Sequence, residues 1–354
     1  MNFDLTEDRQ MLQDSLRRYL ADKYPIEHRN EVAYEAPYHD PAKWSELTEL
    51  GALYALAPED KGGMGGTGFD IAVVFEELGR VISPEPVLGA LMASRILSHT
   101  EADQTDLLAG TTRMAVGLGE IDAPYDLDSI EATAKANGDG YTVSGRKSCV
   151  YGGQAADTIL VAARLDGKLA VLKVSAKDAD VTSYAMMDGG GAAEALLDAT
   201  PAELVLADAA EAIQDAINAG IVALCAEAVG AMEVLHAMTV EYLGQRKQFG
   251  RAIGTFQALQ HRAVDMLTEI EQSRSIVIKA AAELGGPDAS RYCSMAKNLI
   301  GRAGRLVAEE SIQMHGGIAM TWEYPGSHYA KRIIMIDAQL GDTDYHLARV
   351  AAAA

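Results

Sequence analysis

Hydrophobic side chains recur at helical spacing through the first third of the chain. Between residues 5 and 20 they form one stripe, opposite Asp, Glu and Arg side chains, and this pattern predicts an amphipathic helix. The same spacing predicts further helices at 44–56, 69–81 and 87–97. A glycine-rich stretch at 62–68 and the prolines Pro84 and Pro86 separate these segments. We therefore predict that the first third is mostly helical.

Short apolar runs replace the helical pattern after residue 111. Turn residues separate these runs, which predict strands at 113–118, 130–136, 141–143, 148–151, 158–163 and 169–174. The sequence Asn137-Gly138-Asp139-Gly140 predicts a hairpin turn, because Asn and Gly tolerate the positive φ that such turns require. We expect a small β domain here.

Helical spacing returns after Asp208. It predicts three long helices, at 210–246, 255–284 and 289–314. Helices of this length usually belong to a bundle. Asp288 is predicted to cap the third helix by accepting backbone N–H bonds. The most apolar span, 217–232, carries Glu227 and is shorter than the roughly 20 apolar residues that cross a bilayer, so we interpret it as a buried core helix.

Together these patterns predict an α+β chain of three domains. A chain of 354 residues is too long for one compact core, so several domains are expected. We place an N-terminal helical domain at 1–112, a middle β domain at 113–208 and a C-terminal helical bundle at 209–354.

Charge and cysteine content exclude several classes of protein. The 51 acidic and 30 basic side chains give a formal charge of -21, whose field repels nucleic-acid phosphates and anionic lipid headgroups, so neither is expected as a partner. Cys149, Cys225 and Cys293 form no CxxC pair, which favours small buried thiols in a reducing compartment over a disulfide framework or a metal site. The acidic N-terminus lacks the pattern of a signal peptide, so a cytoplasmic location is expected.

The segment after the first long helix carries the most specific chemistry in the sequence. It reads Arg246-Lys247-Gln248-Phe249-Gly250-Arg251. Guanidinium groups here can bind a pyrophosphate through paired hydrogen bonds, beside an aromatic surface. Alternatively, the segment is a solvated basic turn at a helix C-terminus, which the helix dipole favours. The residues alone leave both interpretations open.

A second candidate segment ends the third long helix at Gln313-Met314-His315-Gly316-Gly317. The two glycines allow a ligand to approach the backbone closely, and the Gln313 amide can donate and accept hydrogen bonds. The glycines also fit an ordinary stop signal after a helix. Both interpretations can hold together.

Other conspicuous residues are given structural roles. His261 and His315 lie beside apolar neighbours and are interpreted as hydrogen-bonded structural histidines. Met314 and Met320 are interpreted as core residues. The loop at 62–68 lacks the lysine of a phosphate-binding loop and follows no strand, so we assign no phosphate to it.

These segments together resemble the acyl-CoA dehydrogenase family. The resemblance rests on the 246–251 segment, on the following Ile253-Gly254-Thr255-Phe256-Gln257, and on the glutamine and double glycine at 313–317. Three further sequences fall in the family's order: the N-terminal LTEDRQML, the phrase GDGYTVSGRK at 138–147, and Glu323-Tyr324-Pro325. The resemblance therefore spans nearly the whole chain.

The resemblance implies a fold, a cofactor and partners. The family fold has an N-terminal helical domain, a middle β domain and a C-terminal four-helix bundle, with FAD between the β domain and the bundle and touching a neighbouring subunit. The residues implied on the diphosphate and adenosine side of FAD are Arg246, Phe249 and Gln257, and those that meet the FAD of an adjacent subunit are Gln313, Gly316 and Gly317. The resemblance also implies oxidation of an acyl-CoA to the trans-2-enoyl-CoA, an electron-transfer flavoprotein as electron acceptor, and at least a dimer.

The chain departs from the family where the catalytic base is expected. The reaction removes a proton from the carbon α to the thioester and a hydride from the β carbon, so it needs a carboxylate near the α carbon. In many relatives this is a glutamate downstream of the double glycine, a position that Leu340 occupies here. Other relatives place it at the start of the helix before the 246–251 segment, where this chain has Gly220 and Ile221.

The middle domain departs as well. Relatives usually carry a Trp-x-Thr stretch that contacts the flavin ring. In this chain Lys147 is followed by Ser148, Cys149, Val150 and Tyr151. The contacts of the flavin ring are therefore left open.

Two hypotheses account for the missing glutamate. Either Asp342, or alternatively Asp337, supplies the base in a rearranged loop, or a homologous larger chain supplies it. The ending Gly341-Asp342-Thr343-Asp344-Tyr345-His346 resembles the small subunits of paired acyl-CoA dehydrogenases, such as the pimeloyl-CoA dehydrogenase small subunit and the steroid side-chain types. It favours the second hypothesis, a structural subunit that completes the FAD site of a partner. An oxidase on the same scaffold, reoxidised by O2, is a third alternative.

Overall fold

The computed structural model describes residues 5–138 and 140–353. Its first third contains α1 Glu7–Lys23, α2 Ile26–Ala33, α3 Pro41–Glu49, α4 Gly68–Arg80, α5 Val87–Ser98 and α6 Thr105–Leu108. Thr6 and Asp40 begin α1 and α3, because their side-chain oxygens accept backbone N–H bonds of the first turn. The helical prediction for this third is confirmed, although the hydrophobic pattern does not separate α2 or α6.

The predicted helix at 44–56 is wrong in its second half. α3 ends at Glu49, and Gly51, with a φ of +84°, turns the chain in a left-handed conformation. Only a short 3₁₀ turn, Tyr54–Leu56, follows. In the glycine-rich loop, a Cβ on Gly63 would lie 1.9 Å from the Ala57 carbonyl oxygen, so packing within the chain requires this glycine.

Seven strands form one sheet in the middle of the chain. They are β1 Met114–Gly117, β2 Thr133–Asn137, β3 Gly140–Tyr151, β4 Thr158–Leu165, β5 Lys168–Ser175, β6 Asp180–Ala185 and β7 Gly191–Leu206. Pairings close a circuit in the order β4, β2, β3, β7, β5 and back to β4, while β1 pairs with β4 and β6 with β7. β1 and β2 pair with β4 in parallel, and the other pairs are antiparallel. The predicted β domain is confirmed.

The sheet differs from the prediction in two details. The predicted strands 141–143 and 148–151 are one strand, β3, which register shifts interrupt. The hydrophobic pattern does not predict β6 or β7, because β7 is rich in Ala, Leu and Glu, which favour helices in isolation. Its pairing with three other strands overrides that preference. The predicted hairpin turn includes Asp139, which lies outside the described residues, and β2 pairs with β3 across it.

In the described residues after the sheet, the α-helices are α7 Ala210–Gln245, α8 Gln257–Glu283, α9 Ala289–His315, α10 Pro325–Ala338 and α11 Thr343–Ala352. A short hairpin of β8 Lys247–Gln248 and β9 Arg251–Ala252 joins α7 to α8. α9 packs against α8, α10 and α11. The three predicted long helices are confirmed. Asp288 is the N-cap of α9, but its ψ of 6° is not the extended conformation from which a capping side chain reaches the first turn, so the predicted side-chain cap is wrong.

The chain divides into two compact units. Unit 1 comprises Met1–Ile26, Ile71–Ser83 and Ile221–Ala354, and unit 2 comprises Glu27–Asp70 and Pro84–Gly220. The sheet belongs to unit 2, and α8 to α11 belong to unit 1. The domain boundaries at 112 and 208 stay predictions.

α7 is long and apolar enough to cross a bilayer by length and composition alone. Within its most apolar window, however, 72% of the residues are buried. Such burial is typical of a core helix, which is what the sequence predicts for this span.

Two glycines bring α4 and α7 into backbone contact within unit 1. A Cβ on Gly79 would lie 2.0 Å from the Glu227 carbonyl oxygen, and one on Gly230 would lie 2.1 Å from the Glu76 carbonyl oxygen. A non-bonded carbon cannot approach an oxygen so closely, so the helices need glycine at both positions.

Gly230→Ala is therefore expected to lower the free energy of unfolding by about 2 kcal/mol, because the added methyl forces α4 and α7 apart. Chemical denaturation measures this loss. Gly244→Ala is the matched control in the same helix, since no described heavy atom lies within 4 Å of its Cβ position. There alanine should stabilise α7 by up to about 1 kcal/mol. Equal effects of the two substitutions would contradict the helix contact.

Candidate functional site

The hairpin between α7 and α8 carries the first candidate segment. Lys247 pairs with Ala252, and the Ile253 N–H donates to the Arg246 carbonyl at 2.9 Å. All residues from 246 to 251 are exposed. The cations of the hairpin therefore face outward, where a ligand can reach them.

Phe249 stands at the tip of the hairpin in a strained conformation. Its φ is +54° and that of Gly250 is +78°, so both central residues of the two-residue turn are left-handed. Such turns favour Asn-Gly, and a bulky residue at positive φ is an outlier. The Phe249 side chain is nevertheless 89% exposed, and its ring meets the Phe256 ring edge-on at 6.1 Å between centroids. A strained, exposed aromatic residue points to a functional role rather than to packing.

The second candidate segment follows the last turn of α9. Gly316 adopts φ +69° and ψ −148°, a conformation that only glycine occupies readily. Gly317 is different: its backbone is not left-handed, and no described heavy atom lies within 4 Å of its Cβ position. Nothing in the described chain therefore requires glycine at 317. Gln313 is exposed beside the two glycines.

Contacts between α7 and α9 bring the two segments to the same end of their helices. The Thr239 and Ser311 hydroxyl oxygens lie 2.8 Å apart, and the Tyr242 and His315 rings lie 4.6 Å apart between centroids. The partners advance together along both helices, so α7 and α9 run parallel here and end together. The hairpin, the first turn of α8 with Gln257, and the double glycine all lie at this end of unit 1.

The structural roles predicted for nearby residues are confirmed in part. His315 is buried, with Nδ1 2.8 Å from the Ser311 carbonyl oxygen, and Met314 is buried as well. His261 is exposed on α8, and Met320 is 75% exposed in the loop after the double glycine. These two predictions are wrong because apolar neighbours in sequence do not share a buried face with them.

The two aspartates predicted as alternative bases have structural roles in the turn between α10 and α11. Asp342 is the N-cap of α11, and its Oδ1 accepts the Tyr345 N–H at 2.8 Å. Asp337 Oδ1 accepts the Thr343 N–H at 3.1 Å and the Thr343 hydroxyl at 2.8 Å. Each carboxylate therefore holds the turn.

Two buried side chains that the sequence does not single out hold the same turn, in which Leu340 has a φ of +55°. Lys297 Nζ donates to the Asp337 and Gly341 carbonyls at 2.8 and 2.6 Å. His346 Nε2 lies 3.0 Å from the Leu340 carbonyl oxygen. Burial lowers the pKa of Lys297 and lowers the pKa of His346 to about 4. No local motif includes Lys297, and the sequence gives His346 no role beyond its place at the end of the 341–346 segment.

This turn lies far from the double glycine. Lys297 and His315 are both on α9, 18 residues apart. At a rise of 1.5 Å per residue they are separated by roughly 27 Å. The structure therefore brings the hairpin and double-glycine segments together but not Asp337 or Asp342.

In the sheet, Glu194 of β7 contacts Ser148 from the stretch that replaces Trp-x-Thr. Its carboxylate accepts hydrogen bonds from Arg146 Nε at 2.9 Å, the Ser148 hydroxyl at 2.9 Å and the Tyr184 hydroxyl at 3.3 Å. Cys149 is exposed, whereas the other two cysteines are buried. The prediction of a buried thiol is wrong for Cys149 because the register shift in β3 at this point interrupts the alternation of buried and exposed positions.

The hairpin and double-glycine end of unit 1 fits a cofactor with a diphosphate and flat aromatic rings. Arg246, Lys247 and Arg251 offer cations to a diphosphate, and the exposed Phe249 ring offers a stacking surface. The open Cβ position of Gly317 leaves room for a molecule against the backbone. This set of groups suits FAD.

Comparison with known proteins gives a consistent family match. Residues 6–110 match a model described as acyl-CoA dehydrogenase, N-terminal domain, and residues 210–354 match acyl-CoA dehydrogenase, C-terminal domain. The acyl-CoA dehydrogenase IpdE2 of Mycobacterium tuberculosis is 32% identical over 329 residues, which cover 92% of this chain and 91% of that protein.

Solved structures agree with this match along the whole chain. A variant of the Tcur3481-Tcur3483 steroid ACAD is 29% identical with a TM-score of 0.90, over 98% of this chain and 97% of that one. The ChsE4-ChsE5 complex from Mycobacterium tuberculosis is 25% identical with a TM-score of 0.91, over 99% of this chain and 98% of that one.

Proposed function

The chain belongs to the acyl-CoA dehydrogenase family, and from that premise we propose that it is one subunit of a paired acyl-CoA dehydrogenase whose catalytic carboxylate comes from a homologous partner chain. Membership makes the chain a flavoprotein oxidoreductase with FAD as its cofactor. The family resemblance and the α+β fold predicted from the sequence are confirmed.

The observation that carries this proposal is the turn between α10 and α11. Leu340 stands where the resemblance places the base, and a leucine cannot take a proton. Asp337 and Asp342 each accept hydrogen bonds within the turn through one carboxylate oxygen, Oδ1. Both observations favour a base for the α carbon that comes from another chain. Two of the similar solved structures, Tcur3481-Tcur3483 and ChsE4-ChsE5, each pair two proteins, which supports a paired arrangement.

The remaining chemistry divides between cofactor and chain. When bound, FAD supplies the acceptor for the hydride that leaves the β carbon of the acyl-CoA. We assign the diphosphate and adenosine side of FAD to Arg246, Phe249 and Gln257, and contacts with the FAD of an adjacent subunit to Gln313, Gly316 and Gly317. These residues bind and orient the cofactor, while an electron-transfer flavoprotein receives the electrons.

The test is to purify a tagged form of the chain with and without a homologous acyl-CoA dehydrogenase chain. The complex is expected to show flavin absorbance and to reduce an electron-transfer flavoprotein with an acyl-CoA, whereas the chain alone should not turn over. A steroid-linked acyl-CoA belongs in the substrate panel because one similar solved structure, Tcur3481-Tcur3483, is a steroid ACAD. Turnover by the chain alone would overturn the proposal, and stoichiometric peroxide formation would identify an oxidase instead.

Asp342→Asn separates the two sources of the base. Asparagine caps a helix about as well as aspartate, so α11 should remain intact, and turnover by the complex should be unchanged. Asp342→Ala, the control for the cap, is expected to lower the free energy of unfolding by about 1 kcal/mol with turnover again unchanged. If Asp342→Asn abolishes turnover while FAD stays bound, Asp342 is the base and the chain is a self-sufficient enzyme.

A further inference from the structure

A hydrogen bond joins the two ends of the exposed loop that follows α9. The loop comprises residues 316–323, begins with the short 3₁₀ helix Gly316–Met320, and is exposed except at Ala319. The Tyr324 hydroxyl oxygen lies 2.5 Å from His315 Nε2. This contact joins the residue before the loop to the residue after it, and the double glycine lies inside the loop.

The direction of the bond follows from the other ring nitrogen of His315. Nδ1 lies 2.8 Å from the Ser311 carbonyl oxygen, which can only accept. Nδ1 therefore carries the proton, and Nε2 accepts from the Tyr324 hydroxyl. Burial lowers the pKa of His315 and raises the pKa of Tyr324 to about 12, so both groups are uncharged near neutral pH.

The same imidazole contacts the helix that leads to the hairpin. Its ring centroid lies 4.6 Å from that of Tyr242, one helical turn before Arg246, and 4.8 Å from that of Tyr324. His315 therefore touches both the end of α7 and the base of the double-glycine loop. Holding this ring fixes the two segments relative to each other.

We propose that Tyr324, acting through His315, is a positioning residue for FAD binding: it holds the Gly316–Gly317 loop in the conformation that receives the cofactor. This inference rests on the proposed function above. His328 Nε2 lies 2.8 Å from the Trp322 carbonyl oxygen, so the end of the loop stays attached without the Tyr324 hydroxyl. The contact between Tyr324 and His315 beside the double glycine is lost, and ordering this part of the loop on binding then costs affinity.

The test compares two Tyr→Phe substitutions in the full-length protein. The Tyr329 hydroxyl donates to the Arg80 carbonyl at 2.6 Å, also within unit 1, so Tyr329→Phe removes a comparable hydrogen bond away from the loop. Both variants should lower the midpoint of thermal unfolding of the apoprotein by similar amounts. Only Tyr324→Phe is expected to weaken FAD binding, by about tenfold in a fluorescence titration, and to change the visible circular dichroism of the bound flavin.

Substitutions of His315 test whether a hydrogen-bond acceptor at this position is enough to retain FAD affinity. His315→Gln keeps an amide oxygen that can accept from Tyr324 and should retain FAD affinity, whereas His315→Leu should lose it as Tyr324→Phe does. Unchanged FAD affinity in Tyr324→Phe overturns the inference, and so does equal weakening by Tyr324→Phe and Tyr329→Phe. Failure of the wild-type protein to bind FAD, alone or with a homologous chain, would overturn the proposed function instead.

Discussion

Arg332→Met is expected to lower the free energy of unfolding by about 3–5 kcal/mol, because it leaves a buried carboxylate without its cation. Arg332 on α10 donates to both carboxylate oxygens of Glu227 on α7, at 2.6 and 2.7 Å, and to the Gln339 side chain at 2.9 Å. Arg332 and Glu227 are only 9% and 5% exposed. Methionine preserves much of the packing volume, so the loss reports the uncompensated charge.

A double variant isolates that charge. Glu227→Leu combined with Arg332→Met replaces the ion pair by apolar side chains of similar size, an exchange that is often neutral or stabilising. We therefore expect the double variant to recover most of the stability lost in Arg332→Met, as measured by chemical denaturation of the apoprotein. A loss below about 1 kcal/mol in Arg332→Met would show that the pair behaves like an exposed one, contrary to its burial.

The same ion pair shows which features the sequence predicts and which it does not. The sequence places Glu227 within an apolar span and predicts that the span is a core helix, as found. The partner, Arg332, is 105 residues away, and no periodic or local signal connects the two. Lys297 is a second case, because its role depends on backbone carbonyls about 40 residues away in the sequence, to which its Nζ donates. Long helices are predictable because their signal is local, whereas buried polar pairs depend on the finished packing.

For the candidate site, the sequence predicts which segments bind a ligand but not where they lie in the fold or how open they are. The 246–251 and 313–317 segments are contiguous, so their residue types alone suggest a ligand. That both lie at one end of the parallel helices α7 and α9 follows only from contacts such as that of Tyr242 with His315. The open space at Gly317 likewise cannot be predicted from the sequence, since a glycine after a helix fits an ordinary stop signal equally well.

Phe249 is singled out by the sequence, and the structure adds its strained, exposed conformation. Its replacement should raise the free energy of unfolding and lower FAD affinity. Phe249→Asn gives the hairpin the Asn-Gly pair that its turn favours, so the chain should gain about 1 kcal/mol of stability from the relief of backbone strain. The same change removes an exposed ring from the segment assigned to the diphosphate and adenosine side of FAD. Stacking of an aromatic side chain on a nucleobase is worth about 1–3 kcal/mol, so FAD affinity should fall about 5- to 150-fold.

Phe249→Leu separates the two effects. Leucine keeps the strained left-handed position but lacks the aromatic ring, so FAD affinity should fall while the free energy of unfolding stays close to that of the wild type. Thermal unfolding of the apoproteins and FAD titrations of the three proteins measure both quantities. A Phe249→Asn variant that gains stability and still binds FAD like the wild type would show that the ring does not contact the cofactor. One that gains no stability would show that the left-handed phenylalanine is not strained.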